Sequence, residues 1–456
     1  MKKFFTLFIF SLLISCNSEN SAVPRSIGIG AGGSTIAPVV STISPTSYGV
    51  KGGLTATING SNFASDATVI IGGSNCSNLV VVSPTQITCT LPYHFASVVD
   101  VVVLNGNGIS GTLFGGFSYD SYLYASNQSG SPALTRMKIN STSGAITVLG
   151  TTATPNGTYG VEIDSTNTWV YAAGVSANQI AGFTIDHANG NLAAVPGSPV
   201  AAGAGVNGLA VSKDSKCLIA SNFNGAASAK VTSFSINQST GALTKVADYV
   251  GGTNPGGIAI DPLNRYVWVA NYGSSTISGY TLNTTTCALV FINNYASGGS
   301  PDAISVHPNG KFVFTGNATA AGGITALQVD PNTGDLSLLT TLVTSNATNG
   351  AGIEIDKSGS QVYVTARGGG APGQGRVYGY DVNTNSGSLT LVNSWLTNNG
   401  PNDVRILGSG QFLFTANTES NTITVFSRDL GTGNLTPAVP AFYNVGNSPG
   451  VIGITF

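Results

Sequence analysis

The chain has 456 residues, of which Asp, Glu, Lys and Arg make up only 8% while Gly contributes 60, and its formal net charge is −2. Average soluble proteins are roughly 25% charged, so this surface must be wetted by Ser, Thr and Asn. With no basic run beyond the first three residues there is no electrostatic footprint for nucleic acid.

Met1, Lys2 and Lys3 precede an apolar run from Phe4 to Ile14 that is too short to cross a bilayer, so residues 1–15 read as a signal peptide. Its end, Leu13-Ile14-Ser15-Cys16, resembles the lipobox of bacterial lipoproteins. That resemblance implies lipidation of Cys16 and a membrane-anchored protein of the cell envelope. Asn17, which is not the Asp of the enteric inner-membrane retention signal, favours the outer membrane or cell surface. Residues 16–40, rich in Gly, Ser, Ala and Pro, read as the lipidated terminus and a flexible spacer.

Beyond the spacer, short Val, Ile, Tyr, Phe and Thr runs between Gly, Asn and Pro clusters predict an all-β protein. The length exceeds what one ordinary core serves, so two folded units are expected. In residues 41–119 the runs TATI, TVIIG, NLVVV, QITCTL and VVDVVVLN recur at the spacing of a small β-sandwich. The stretches ISPTSYGVKGGLTATINGSNF, VIIGGSNC, SPTQITCTLP and GGFSY closely resemble the IPT/TIG immunoglobulin-like domain. The resemblance implies a Cys76–Cys89 bridge, and thirteen residues between adjacent strands permit its closure. Once Cys16 is set aside, the remaining pair is Cys217 and Cys287, for which two buried thiols and a bridge both stay open.

From residue 120 to 456 a repeat decides the architecture. A strand motif recurs as YLYASN at 122, WVYAAG at 169, CLIASN at 217, YVWVAN at 266, FVFTGN at 312, VYVTAR at 362 and FLFTAN at 412. A turn motif keeps step with it as SGAIT, NGNLA, TGALT, TCALV, TGDLS, SGSLT and TGNLT, with Cys287 where the others have Gly. Each unit of about 48 residues holds four strand-length runs, the content of one propeller blade, and seven copies predict seven blades. The chain enters at a second strand and ends at GVIGITF, a first strand, so the C-terminal strand should complete the blade begun at 122 and close the ring; an open solenoid would not split its first repeat this way. These repeats resemble the lactonase family of seven-bladed propellers, which includes phosphogluconolactonase and the YVTN-repeat surface proteins.

First strands of a propeller line its channel. Aligned from YGVEID, NGLAVS, GGIAID, DAISVH, AGIEID, NDVRIL and GVIGIT, their fourth column reads Glu162, Ala210, Ala259, Ser305, Glu354, Arg405 and Gly453. That column, with the entrance residues Asn207, Asp302, Asn402 and Asp403, supplies the candidate ligand groups. Arg405 and Glu354 can be an ion pair between adjacent blades. Alternatively, Arg405 anchors an anion while Glu162 or Glu354 serves as the general base of a lactone hydrolase. Against the enzyme, the resemblance implies His and Arg at the entrances of middle blades, where this chain has Asn207, Gly208, Gly256 and Gly257. His94, His187 and His307 read as turn or strand-end residues, and no motif implies a metal or cofactor. The balance favours a surface binding or adhesion module for an extracellular protein or glycan, with a lactonase-type hydrolase as the alternative.

Overall fold

The computed structural model describes residues 36–128, 133–225, 230–318, 323–343, 350–368, 375–446 and 448–456. Cys16 and the signal segment lie outside the described residues. The described chain is all strand and turn, arranged as an N-terminal sandwich and a ring of seven sheets.

The sandwich pairs a sheet of Val39–Ser44, Thr55–Ser61, Gln86–Thr90 and Ser77–Ser83 with a second that contains Ser97–Leu104, Thr68–Ile71 and the start of Ser110–Asn127. Alternation drives the pairing: in Gln86–Thr90 the side chains of Ile87 and Cys89 are fully buried while their neighbours are not. Cys89 is bridged to Cys76, with Cα atoms 5.7 Å apart, beside the register pair Ser77–Thr90.

Ser110–Asn127 is continuous, so a single strand runs from the sandwich into blade one and no linker separates the two units. Blade one is completed by Pro449–Ile454, which pairs antiparallel with that strand through Ile452–Ala125, Gly453–Tyr124 and Ile454–Leu123. The closure is reinforced where Tyr122 N donates to Thr455 Oγ1 at 2.8 Å and Ser121 Oγ donates to Thr455 O at 2.6 Å. The C-terminal strand therefore closes the ring.

The motif alignment needs one correction. In blade six the second strand is Gln361–Ala366, so its register begins one residue before VYVTAR, and Arg367 falls just beyond the strand. Gln361 is the reason: it is a polar residue in a column otherwise filled by Tyr122, Trp169, Cys217, Tyr266, Phe312 and Phe412.

That column makes the contact between blades. At six of the seven junctions a glycine of the following blade's turn motif has positive φ, and a Cβ there would collide with the column side chain: Gly190 with Tyr122, Gly241 with Trp169, Gly334 with Tyr266, Gly387 with Phe312, Gly433 with Gln361 and Gly144 with Phe412. Side chains deeper in the same strands clamp the turns, as where Tyr171 Oη donates to Gly241 O at 2.8 Å and Tyr363 Oη to Gly433 O at 2.6 Å.

The sandwich also shares core with the ring. Val50 and Ala96 are buried in one cluster with Leu123, Ala125, Leu407 and Phe412 of blades one and seven. Gly49 N donates to His187 O at 2.8 Å, and Lys51 Nζ donates to Thr168 Oγ1 at 2.6 Å.

Candidate functional site

The seven inner strands enclose a channel of about 710 Å³. Its upper mouth is where the strands begin, at Tyr159, Asn207, Asp302 and Asn402, and its lower mouth is where they end, at Ser165, Lys213, Lys357 and Phe456.

Midway, the structure brings three of the expected residues into one cluster. Arg405 Nη1 lies 3.2 Å from Glu354 Oε2, its Nη2 lies 3.6 Å from Asp403 Oδ2, and its Nε donates to Ile452 O at 3.0 Å. Asp403 Oδ2 also accepts from Ile452 N at 3.0 Å. The guanidinium is thus held by two carboxylates and a backbone carbonyl, the arrangement of the ion-pair reading, while it still lines the channel. Burial raises the Glu354 and Asp403 carboxyls, with Arg405 pulling both back down. Glu162 shares the column but has no ion pair among the described residues, and burial, opposed by Arg405 and Lys213, pushes it up to about 7. Ala210, Ala259 and Ser305 line the other side, so at this middle level the channel is polar along blades six, seven and two and largely apolar along three to five.

The upper mouth is assembled differently. Asn402 is 2% exposed and its Nδ2 donates to Tyr159 Oη at 3.0 Å and to Gly450 O at 2.9 Å, reaching across blade one. Asp302 faces this pair, and burial pushes its carboxyl up to about 6 while Arg367 draws it down. The same arginine acts on Tyr159, whose phenol burial raises to about 12. Arg367 Nε is buried without a hydrogen-bond partner. Gly256 lets the blades close at this point, because a Cβ there would stand 3.1 Å from Asp302 Oδ1 and 2.8 Å from its carbonyl oxygen. Asn207 lines the same mouth.

Tyr159 and Arg367 were not among the sequence candidates. The signal for Arg367 was a lone charge next to the Asn-ending motif, hidden by the one-residue slip in blade six. Tyr159 opens the YGVEID run but passes for a core aromatic.

The histidines are elsewhere. His94 stacks on Tyr119 at 5.0 Å in the sandwich, His187 Nε2 bonds Asn167 O at 2.6 Å, and His307 Nε2 bonds Gly359 O at 3.0 Å. All three serve turns or interfaces.

This channel and its seven blades agree with the family comparisons. The model described as "Lactonase, 7-bladed beta-propeller" matches residues 193–286, 273–348 and 340–449, and that of the IPT/TIG domain matches residues 38–124. The chain belongs to the seven-bladed lactonase propeller family. Among solved structures it is similar to a putative 6-phosphogluconolactonase of Bacteroides fragilis, at 20% identity and TM-score 0.65 over 74% of this chain and 98% of that one. A putative 6-phosphogluconolactonase of Bacteroides uniformis gives 18% and 0.64 over 74% and 99%. The periplasmic gluconolactonase of Pseudomonas aeruginosa gives 16% and 0.64 over the same shares, 74% and 99%. At these identities the likeness is one of fold. No curated protein matches the chain. Within the lactonase fold, the upper mouth holds a carboxylate near neutrality, an arginine with an unpaired nitrogen, and two hydrogen-bonding side chains fixed to each other.

Proposed function

We propose that the propeller is a lactone hydrolase working at the upper mouth of its channel. The observation that carries this reading is Asp302, a half-buried carboxyl with a raised pKa within the field of Arg367, whose Nε is buried without a hydrogen-bond partner. As a carboxylate, Asp302 takes a proton from water while the oxygen adds to the lactone carbonyl carbon. Arg367 stabilises the oxyanion that forms. The acyl–oxygen ring bond then breaks, the departing ring oxygen takes up a proton, and a hydroxy acid is released. Tyr159 and Asn402 hold the hydroxyl groups of the substrate. This places the base at Asp302, away from Glu162 and Glu354, and gives Arg405 a structural part.

The test is turnover of a panel of sugar and acyl lactones by the full chain. Asp302→Asn should lose at least 100-fold in kcat while keeping its melting temperature. Absence of turnover across the panel, or full activity in Asp302→Asn, overturns the reading.

A second reading, a surface module for an extracellular protein or glycan, is favoured by exposed apolar side chains on both sheets of the sandwich. Phe114 is 81% exposed, and Val80 and Val82 of an edge strand are each 56% exposed. Export and lipid anchoring at Cys16 in the outer membrane or cell surface accompany either reading. Their support is the Leu13-Ile14-Ser15-Cys16 sequence together with two bridges of a kind that persists in oxidising compartments. Fatty-acid labelling that survives Cys16→Ala would overturn the anchor.

A further inference from the structure

The lower mouth of the channel is built from both units of the chain. Phe95, in the turn between Gln86–Thr90 and Ser97–Leu104 of the sandwich, reaches the end of blade seven. There a Cβ on Gly408 would stand 3.2 Å from Phe95 Cδ1 and 3.0 Å from Phe456 Cα. Lys357 Nζ sits 4.2 Å from the centroid of the Phe95 ring and 5.3 Å from that of Phe456. Lys213 holds the equivalent position in blade three, half-way round the ring, and its charge reaches Glu162, Glu354 and Lys357. Both lysines and Phe456 line the channel cavity.

Neither ammonium has an ion pair among the described residues, although Glu162, Asp302, Glu354, Asp356 and Asp403 line the same channel. Two of those carboxylates are taken by Arg405. Lys357 is exposed at the mouth, and packing against the two rings lowers its pKa. The rings attract the ammonium through their faces but supply no hydrogen-bond acceptor. Two such cations share one mouth of the channel, close enough for Lys213 to act on Lys357, and neither is held in an ion pair among the described residues.

We propose that the lower mouth is a second ligand site, which takes a small organic monocarboxylate between Lys213 and Lys357 with Phe95 and Phe456 as its walls. A monoanion fits better than phosphate, because Glu162 and Glu354 lie just inside and repel a dianion. The body of the ligand lies against the apolar side of the channel at Ala210 and Ala259. Phe95 is fixed for this part because its neighbour Ala96, 2% exposed, is packed into the core shared with Leu407. The site therefore exists only where sandwich and propeller are joined, and it does not depend on hydrolysis at the upper mouth.

The experiment is calorimetric titration of the full chain with butyrate, gluconate and inorganic phosphate, with protection of Lys357 from an amine-acylating reagent followed in parallel. The expected result is saturable binding of at least one carboxylate, tighter than phosphate, with slowed acylation of Lys357. The double variant Lys213→Gln/Lys357→Gln should weaken binding at least tenfold, and Phe95→Ala should weaken it several-fold. If neither carboxylate binds, if phosphate binds more tightly, or if the acylation rate of wild-type Lys357 is unaffected by carboxylate, the proposal fails. It fails also if the double variant keeps both its melting temperature and its affinity. Protection is read on the wild-type chain, so the proposal stands or falls even where a variant folds poorly.

Discussion

Cys217 and Cys287, 70 residues apart in sequence and bridged with Cα atoms 5.4 Å apart, occupy the two positions at which every other pair of adjacent blades sets a large side chain against a left-handed glycine. Cys287 keeps the glycine conformation, with φ of 56°. The bridge thus replaces a repeated van der Waals contact with a covalent one at the junction of blades three and four. Cross-linking a loop of this length stabilises by roughly 4 kcal/mol in the chain-entropy account.

Peptide mapping without reduction should therefore recover Cys217 joined to Cys287 as well as Cys76 joined to Cys89. Cys217→Ser should lower the melting temperature, whereas the pair Cys217→Phe with Cys287→Gly should recover much of the loss by restoring the contact of the other six junctions. A double variant no more stable than the single one would separate the bridge from the repeat contact.

The two cysteine positions were each visible in the sequence, one opening a strand motif and the other replacing a turn glycine. Their relation was hidden because the contact joins consecutive blades, while alignment compares equivalent places within a blade. The fold was legible for the same reason that one register was misread. Seven copies of a strand motif, aromatic in six, and of a turn motif fix the blade count, but Gln361 does not resemble Tyr, Trp or Phe, so blade six slipped by a residue and took Arg367 out of view. The middle of the channel was read correctly in its composition, since period-two alternation places Glu162, Glu354 and Arg405 on one side of their strands. The upper mouth was legible only in part, because Tyr159 and Arg367 are brought to Asp302 from blades two and six by closure of the ring. Docking of the sandwich left no sequence signal at all, as it rests on Val50 and Ala96, small residues in turns.

That docking makes the expected boundary at residues 119 and 120 a poor place to cut. A chain starting at residue 120 would lose the sandwich half of Ser110–Asn127 and uncover the blade-one and blade-seven core around Leu407 and Phe412. It should aggregate or unfold at a markedly lower temperature than the full chain. Val50→Ala, a milder probe of the same contact, should cost about 1–3 kcal/mol in chemical denaturation. A soluble 120–456 fragment with the melting temperature of the full protein would show the contact to be dispensable.

Removal of residues 449–456 deletes the inner strand of blade one and leaves Leu123, Ala125 and the blade-seven core without their partners Ile452 and Ile454. Such a truncation should be insoluble or degraded, because it opens two long sheet edges. Cooperative unfolding of a soluble truncated chain, measured by circular dichroism, would contradict closure by this strand.

If Asp302 is the base of a lactone hydrolase, turnover must follow its carboxylate form. Its pKa is raised to about 6, so kcat/KM should rise as pH passes upward through about 6 and level off near neutrality. Arg367→Met removes the charge that draws Asp302 down, so the midpoint should move higher as the rate falls. A profile that is flat from pH 5 to pH 8 after correction for spontaneous hydrolysis would exclude Asp302 from that role.

Glu162 tests the channel through stability instead of rate. Burial raises its pKa from an ordinary 4.5 to about 7 in the folded protein, so between these values the folded chain holds a proton that the unfolded chain has released. Stability must then fall as pH rises across that window, because the folded state must give up the favoured proton; below pH 4.5 both states are protonated and the residue has no effect on the slope. Glu162→Gln, which mimics the protonated form, should therefore leave the melting temperature nearly unchanged at pH 4.5 and raise it at pH 8. The wild-type curve should lose stability between those pH values more steeply than the variant. The sign discriminates between two accounts of the residue. Were Glu162 held chiefly as a partner of Arg405, its pKa would lie below 4.5 and the substitution would destabilise the protein at pH 8, so a lower melting temperature there would assign it to the ion-pair cluster.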